Sequence, residues 1–250
     1  MTAFRKKLKD KKPMIGTLLT TPSPDIAELL SKSGFDWLFI DMEHSAIELQ
    51  DVQNILRAAS PHAHCIVRVP GNDEIWIKRV LDTGAEGIII PQVNTVEEAE
   101  YAVRFAKYPP EGRRSVGISR AHGYGPEFKA YTENANEEVA LIIQCEHKEA
   151  VKNLPKIIKT KGIDCIFIGP YDLSGSYDKL GQTEDPEVLN AIETTHKTCV
   201  EAGMPMGIFG TKPEGLLPYK KTGFNLIAMS TDVLMLHESA KKNLDKIKAD

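Results

Sequence analysis

The chain has 250 residues, 42% of them hydrophobic and 26% charged, with a net charge of −4 at neutral pH. That length matches one (β/α)₈ barrel better than the commonest small domain, and the composition excludes intrinsic disorder. The weak negative charge gives no electrostatic reason to expect nucleic acid or an anionic membrane as a partner.

From the N-terminus, the basic stretch 5–12 reads as a solvated helix, because Asp10 interrupts it and no aromatic lies within it. No apolar run follows that charge, so no secretory signal is expected. No run is long enough to span a bilayer, and a soluble, cytoplasmic protein is expected. Eight short apolar runs then follow, at 14–19, 37–40, 65–69, 87–90, 139–144, 164–168, 204–209 and 226–229. Runs such as Gly87-Ile88-Ile89-Ile90 lack alternation, as expected of strands covered on both faces.

Helical patterns separate the runs. Ser23-Pro24 opens one as cap and first-turn proline, and Gly34 closes it; Thr95 opens another; 186–202 is amphipathic and stops at Gly203. Eight strand–helix units predict a closed parallel (β/α)₈ barrel, one domain over 1–250. A doubly wound open sheet is disfavoured because no G-x-G-x-x-G follows the first strand. The stretch 107–136 has no clear strand and is rich in Gly, Pro, Arg and Tyr; it is expected to be a functional loop on the active face. The four cysteines, Cys65, Cys145, Cys165 and Cys199, form no C-x-x-C pair and read as reduced core residues.

In such a barrel the chemistry comes from the C-terminal strand ends. In chain order these are Asp41-Met42-Glu43-His44-Ser45, Arg68-Val69-Pro70, Pro91-Gln92, Gln144-Cys145-Glu146-His147 and Gly169-Pro170-Tyr171-Asp172. No lysine occurs among them, which argues against a Schiff-base mechanism. Glu146 and Asp172, on adjacent strands, suit a hard ion that keeps several waters, Mg²⁺ or Mn²⁺. Such an ion polarises a chelated keto group and acidifies the methyl beside it. Arg68 can add positive charge near a developing enolate oxygen. His44 can move the proton, with Asp41 placed to orient its ring. The turn at Gly169, Tyr171 and Asp172 can offer N–H groups to a substrate carboxylate.

At these residues the sequence resembles the HpcH/HpaI family of class II pyruvate aldolases. The resemblance runs from Gly16-Thr17 and Ser23-Pro24 through Asp41-Met42-Glu43-His44 and Val67-Arg68-Val69-Pro70. It continues with Tyr108-Pro109-Pro110-Glu111-Gly112-Arg113-Arg114, Gln144-Cys145-Glu146, the segment 167–174, Gly223-Phe224 and Ser230-Thr231-Asp232. It implies Glu146 and Asp172 as ligands of Mg²⁺ or Mn²⁺ (Co²⁺ as an alternative), His44 as base with Asp41 its partner, Arg68 as enolate stabiliser and Gln144 as a polar contact near pyruvate. It also implies a hexamer whose C-terminal helix packs on a neighbouring subunit, with Asp82 approaching an adjacent site. One departure is His147, where relatives carry a small hydroxyl residue.

The activity so implied is reversible aldol cleavage of a 4-hydroxy-2-keto acid to pyruvate and an aldehyde. The alternatives are oxaloacetate decarboxylation or other pyruvate-enolate chemistry on the same site, and a barrel that only binds a keto acid. The aldehyde is not readable, although its tail is expected to meet the loop around residues 119–124.

Overall fold

A computed structural model describes residues 3–249. Helix α1 (Ala3–Lys9) precedes the strands and helices β1 (Met14–Leu19), α2 (Pro24–Lys32), β2 (Trp37–Asp41), α3 (Leu49–Ala59), β3 (His64–Arg68), α4 (Glu74–Asp82), β4 (Gly87–Ile90) and α5 (Val96–Ala106). The second half continues with α6 (Phe128–Glu138), β5 (Ala140–Cys145), α7 (Lys148–Ile157), β6 (Cys165–Ile168), α8 (Pro170–Ser176), α9 (Pro186–Ala202), β7 (Met206–Gly210), α10 (Pro213–Lys221), β8 (Leu226–Thr231) and α11 (Asp232–Lys248). The eight strands are parallel and close in sequence order, with β8 pairing back onto β1. The (β/α)₈ barrel expected from the sequence is the observed fold, and the expected strands and helix caps fall within two residues of their observed bounds. Ser23 caps α2, Thr95 and Glu98 form a capping box on α5, and Gly203 takes the left-handed conformation that ends α9.

Two apolar layers follow from the two-residue period of the strands. Leu38, Ile40, Val67, Ile88 and Ile90 face outward into the helices, while Trp37, Phe39, Ile66, Ile89, Ile142 and Phe167 fill the barrel interior. Glycines make room for the large interior rings: a Cβ on Gly16 would lie 2.5 Å from the Trp37 indole, and one on Gly207 2.5 Å from the Phe167 ring. Helix α1 closes the N-terminal end, with Phe4 and Leu8 fully buried against this interior. The expectation of a solvated helix therefore holds for only part of α1. Arg5 is buried and its Nε donates to Asp164 at 2.7 Å, because a buried guanidinium needs a carboxylate to offset its lost hydration.

A second expectation is corrected. The segment 107–127 follows helix α5, not a strand, so it lies at the N-terminal ends of the strands, opposite the active face. Arg120 Nη1 donates to Thr83 O just beyond α4 at 2.7 Å, and Arg57 Nη2 in the last turn of α3 donates to Tyr124 Oη at 3.0 Å. Residues 128–138 form α6 rather than loop. Within one chain the region around 119–124 does not border the site described next. All four cysteines are free and buried, and among the described residues no helix is long and apolar enough to cross a membrane.

Candidate active site

The inward-facing series of each strand changes from apolar to polar at its C-terminal end. Trp37 and Phe39 are followed by Asp41, Ile66 by Arg68, Ile142 by Gln144, and Phe167 by Gly169. The register between β2 and β3 places Asp41 beside Arg68. Arg68 Nε donates to Asp41 Oδ1 at 2.9 Å and Nη2 to Oδ2 at 2.7 Å, a bidentate pair between two buried groups. Its guanidinium carbon sits 5.1 Å from the Phe39 ring centroid. Burial opposes the Arg68 charge, but the Asp41 hydrogen bonds and the carboxylates of Glu43 and Glu146 outweigh it and hold its pKa above the ordinary value.

Asp41 is engaged mainly by Arg68 and the backbone, and its Oδ2 accepts only Arg68 Nη2. Its Oδ1 also accepts the backbone N–H groups of Glu43 and His44, at 3.0 and 3.3 Å. The carboxylate nearest the ring is instead Glu43, whose Oε2 lies 3.7 Å from His44 Nε2 and 3.2 Å from Arg68 Nη1. That Oε2 is buried and accepts no hydrogen bond. Burial, opposed by Arg68 and reinforced by Asp41 and Asp172, pushes the Glu43 carboxyl up to about 7. His44 itself is exposed at the cavity mouth.

On β5, Gln144 sits 3.5 Å from Arg68 Nη1 through its Oε1, and its Nε2 donates to Glu146 Oε2. The other oxygen of Glu146 accepts the backbone N–H of Gln92 at 2.8 Å. Gln92 is held at φ 53°, a left-handed conformation that a non-glycine residue adopts only under constraint, and it is this turn that aims its N–H at Glu146. Burial pushes Glu146 up to about 7; the Gln92 hydrogen bond opposes this, and Asp172 and Glu43 add to it. Asp172 stands exposed in the first turn of α8. Gly169 permits the arrangement, since a Cβ there would lie 2.8 Å from Glu146 Oε2 and 3.0 Å from Gln144 Nε2. The Gly169 N–H itself is turned to Cys145 O at 3.4 Å, which leaves those of Tyr171 and Asp172 to face a ligand.

Asp41, His44, Arg68, Gln144, Gly169, Tyr171 and Asp172 line a cavity of about 410 Å³, with Glu43 and Glu146 behind them. One half is polar, with Asp41, His44, Arg68, Gln144 and Asp172; the other, at the ends of β1, β7 and β8 and the start of α11, presents Leu18, Phe209 and Leu234 with Thr20, Thr211 and Thr231. No lysine lines it. His147 is not in the lining: it caps α7, its Nδ1 accepting the Glu149 N–H at 3.1 Å. The structure thus brings His44, Arg68, Asp41, Glu146, Asp172, Gln144, Gly169 and Tyr171 to one rim and leaves His147 outside. The sequence reading gave no role to Glu43 or Gln92. The period-two pattern signals Glu43, two residues beyond inward-facing Asp41, whereas nothing local announces the backbone conformation of Gln92.

Four carboxylates, Asp41, Glu43, Glu146 and Asp172, share this end of the barrel with one arginine, which Asp41 and Glu43 already engage. Surplus buried negative charge is costly, and the donor chemistry fits a hard divalent cation between Glu146 and Asp172. Among the described residues no group of three or more His, Cys, Asp or Glu side chains is gathered for a metal ion, so such a cation would draw its remaining ligands from water or substrate.

A family model described as HpcH/HpaI aldolase/citrate lyase matches residues 15–238. The 2-dehydro-3,6-dideoxy-6-sulfogluconate aldolase of Pseudomonas putida is 38% identical over 243 residues, covering 96% of this chain and 95% of that protein. The hydroxypyruvate/pyruvate aldolase of Roseobacter denitrificans is 36% identical over 244 residues, covering 96% and 95%. A crystal structure of an HpcH/HpaI aldolase/citrate lyase family protein from Burkholderia cenocepacia superposes with a TM-score of 0.96 at 33% identity, over 99% of this chain and 100% of that one.

Proposed function

The chain belongs to the HpcH/HpaI aldolase/citrate lyase family, and we propose that it catalyses the reversible aldol cleavage of a 4-hydroxy-2-keto acid to pyruvate and an aldehyde, with a divalent cation, Mg²⁺ or Mn²⁺, held by Glu146 and Asp172. The observation that carries this reading is the surplus of carboxylates: Asp41, Glu43 and Glu146 stand around one arginine, with Asp172 beside Glu146, at the end of a cavity that offers no lysine for a Schiff base. When bound, the cation supplies Lewis acidity to the keto oxygen of the substrate.

The chain's own groups do the rest. The N–H groups of Tyr171 and Asp172 lie in the first turn of α8, where a helix provides no acceptor for its own donors, and they receive the substrate carboxylate. Gln144, fixed by Glu146 and facing Arg68, orients the keto acid. Arg68, locked by Asp41, places fixed positive charge where the enolate oxygen develops, so no reorganisation is needed during reaction. Phe39 and Phe167 form a floor that keeps water from the enolate. In the cleavage direction His44 takes the proton of the 4-hydroxyl; after the carbon–carbon bond breaks it returns a proton to the enolate methylene, giving pyruvate.

Exchange of pyruvate methyl protons into D₂O, followed by ¹H NMR, tests the reading. Exchange is expected to stop in EDTA and to return with Mg²⁺, Mn²⁺ or Co²⁺. Full exchange in the chelator would overturn the assignment of the metal. We place the protein in the cytoplasm as a hexamer, with α11 packing on a neighbouring subunit.

A further inference from the structure

With pyruvate held against Gln144, Arg68 and the first turn of α8, the aldehyde portion of the keto acid extends into the other half of the cavity, against Leu18, Thr20, Phe209, Thr231 and Leu234. The backbone there is irregular. Gly16 pairs with Ala228 and Leu18 with Thr231, so two steps along β1 span three along β8, and Ser230 inside this bulge takes φ 59°. A bulge re-aims the side chains beside it, and a non-glycine residue holds a left-handed conformation only where its surroundings impose it. Thr231, the next residue, lies in the cavity lining. Hydrogen bonds then fix the sense of each hydroxyl. Buried Asp232 accepts the backbone N–H and the hydroxyl of both Thr20 and Thr21. Burial works against its charge, but these hydrogen bonds outweigh it and hold the carboxyl below its ordinary value. The Thr20 hydrogen is spent on Asp232 at 2.7 Å, so towards a ligand its oxygen can only accept. Thr231 has the opposite sense: its oxygen accepts the Leu234 N–H at 3.2 Å, and its own hydrogen remains to donate. Among the described residues Arg68 is the one Lys or Arg in the lining, and Asp41 and Glu43 already engage it. An anionic tail would meet the Asp232 carboxylate behind Thr20 with no cation to offset it.

We propose that the aldehyde is short, uncharged and hydroxylated: it donates a hydroxyl hydrogen to Thr20 Oγ1 and accepts one from Thr231 Oγ1, while its carbon chain rests on Leu18, Phe209 and Leu234. The proposal deepens the aldolase reading and rests on it. Asp232 acts through Thr20, by taking the hydrogen that would otherwise let this hydroxyl donate. The cavity of about 410 Å³ must hold pyruvate as well, which limits the aldehyde to a few carbons.

Condensation of pyruvate with a set of aldehydes on the metal-supplemented protein tests this. Glyceraldehyde carries hydroxyls, propionaldehyde has the same length without them, and succinic semialdehyde carries a carboxylate. The natural chain is expected to show kcat/KM for glyceraldehyde about 10- to 100-fold above either of the others, because polar groups left unmatched penalise the analogue that lacks the hydroxyl. Glyceraldehyde and propionaldehyde also differ in intrinsic reactivity, so the deciding number is the change in their ratio on substitution. Thr20→Val keeps the shape and removes the oxygen, and it is expected to lower that ratio about 10-fold; Thr20→Ser, which keeps the oxygen, is expected to retain most of it. Equal use of all the aldehydes, or a ratio that Thr20→Val leaves unchanged, would overturn the proposal while the aldolase reading stands. Failure to condense pyruvate with any of them would overturn the aldolase reading first and the proposal with it. Should Thr20→Val not fold by circular dichroism, Thr20→Ala removes the same oxygen with less bulk and is held to the same expectation.

Discussion

Arg68 makes two parallel hydrogen bonds to Asp41 while a third nitrogen faces Gln144, a fan of donors that only a planar guanidinium supplies. Arg68→Lys keeps the charge and loses the fork, so it is expected to lower kcat for both aldol cleavage and oxaloacetate decarboxylation by about 10²- to 10³-fold, the cost of removing one preorganised donor at a developing oxyanion. Steady-state kinetics of the two reactions check this, and near-wild-type rates for the lysine variant would mean that bulk charge suffices. Arg68, Asp41, Glu146 and Asp172 were legible in the sequence because strand ends of a parallel barrel converge on one rim whatever the loops do. The pairing among them was not. Which carboxylate takes Arg68 depends on the β2–β3 register, which sets Asp41 directly against it and leaves Glu43 a single contact with Nη1.

The β6–α8 turn shows how an element sets the geometry of its neighbour. Gly169 is needed for space, because a Cβ would come within 2.8 Å of the Glu146 carboxylate that Gln92 and Gln144 hold from the other side. Gly169→Ala is therefore expected to displace Glu146 and weaken divalent-metal affinity about 10- to 100-fold, as disturbances of ligand-orienting contacts do, with little change in far-ultraviolet circular dichroism. Titration with Mn²⁺ followed by electron paramagnetic resonance measures this, and unchanged affinity would show that Glu146 is not held against Gly169. The strands and caps were legible at this scale because periodicity and N-cap chemistry are local. The segment 107–127 was misplaced for the opposite reason. Its lack of strand pattern was correctly seen, but its face of the barrel depends on α5 ending at Ala106, after which the chain has already crossed to the far side. The role of His147 was left open by the sequence, and the start of α7 makes it a cap.

At the scale of the whole molecule, the barrel buries its strands on both faces but gives its last helix almost nothing to bury. The start of α11 is anchored, with Asp232 accepting hydrogen bonds from the backbone and hydroxyls of Thr20 and Thr21 at 2.6–3.0 Å. Beyond it, Leu236, Leu244 and Ile247 are 66%, 52% and 78% exposed. An amphipathic helix held rigidly at one end with its apolar side chains in water is a surface to be covered, and each such side chain contributes about 1.5–3 kcal/mol when fully buried. The expected cover is a second copy of the chain, consistent with the proposed hexamer. Replacing Leu244 and Ile247 together by glutamate would place charges in that contact without touching the barrel, since neither residue belongs to its core. Light scattering coupled to size exclusion is expected to report a mass near six times 27.7 kDa for the natural chain and a smaller species for the variant. The circular dichroism and the melting of the barrel should be retained apart from the stability contributed by assembly. An unchanged mass would remove α11 from the interface, and a monomeric natural chain would remove the hexamer itself.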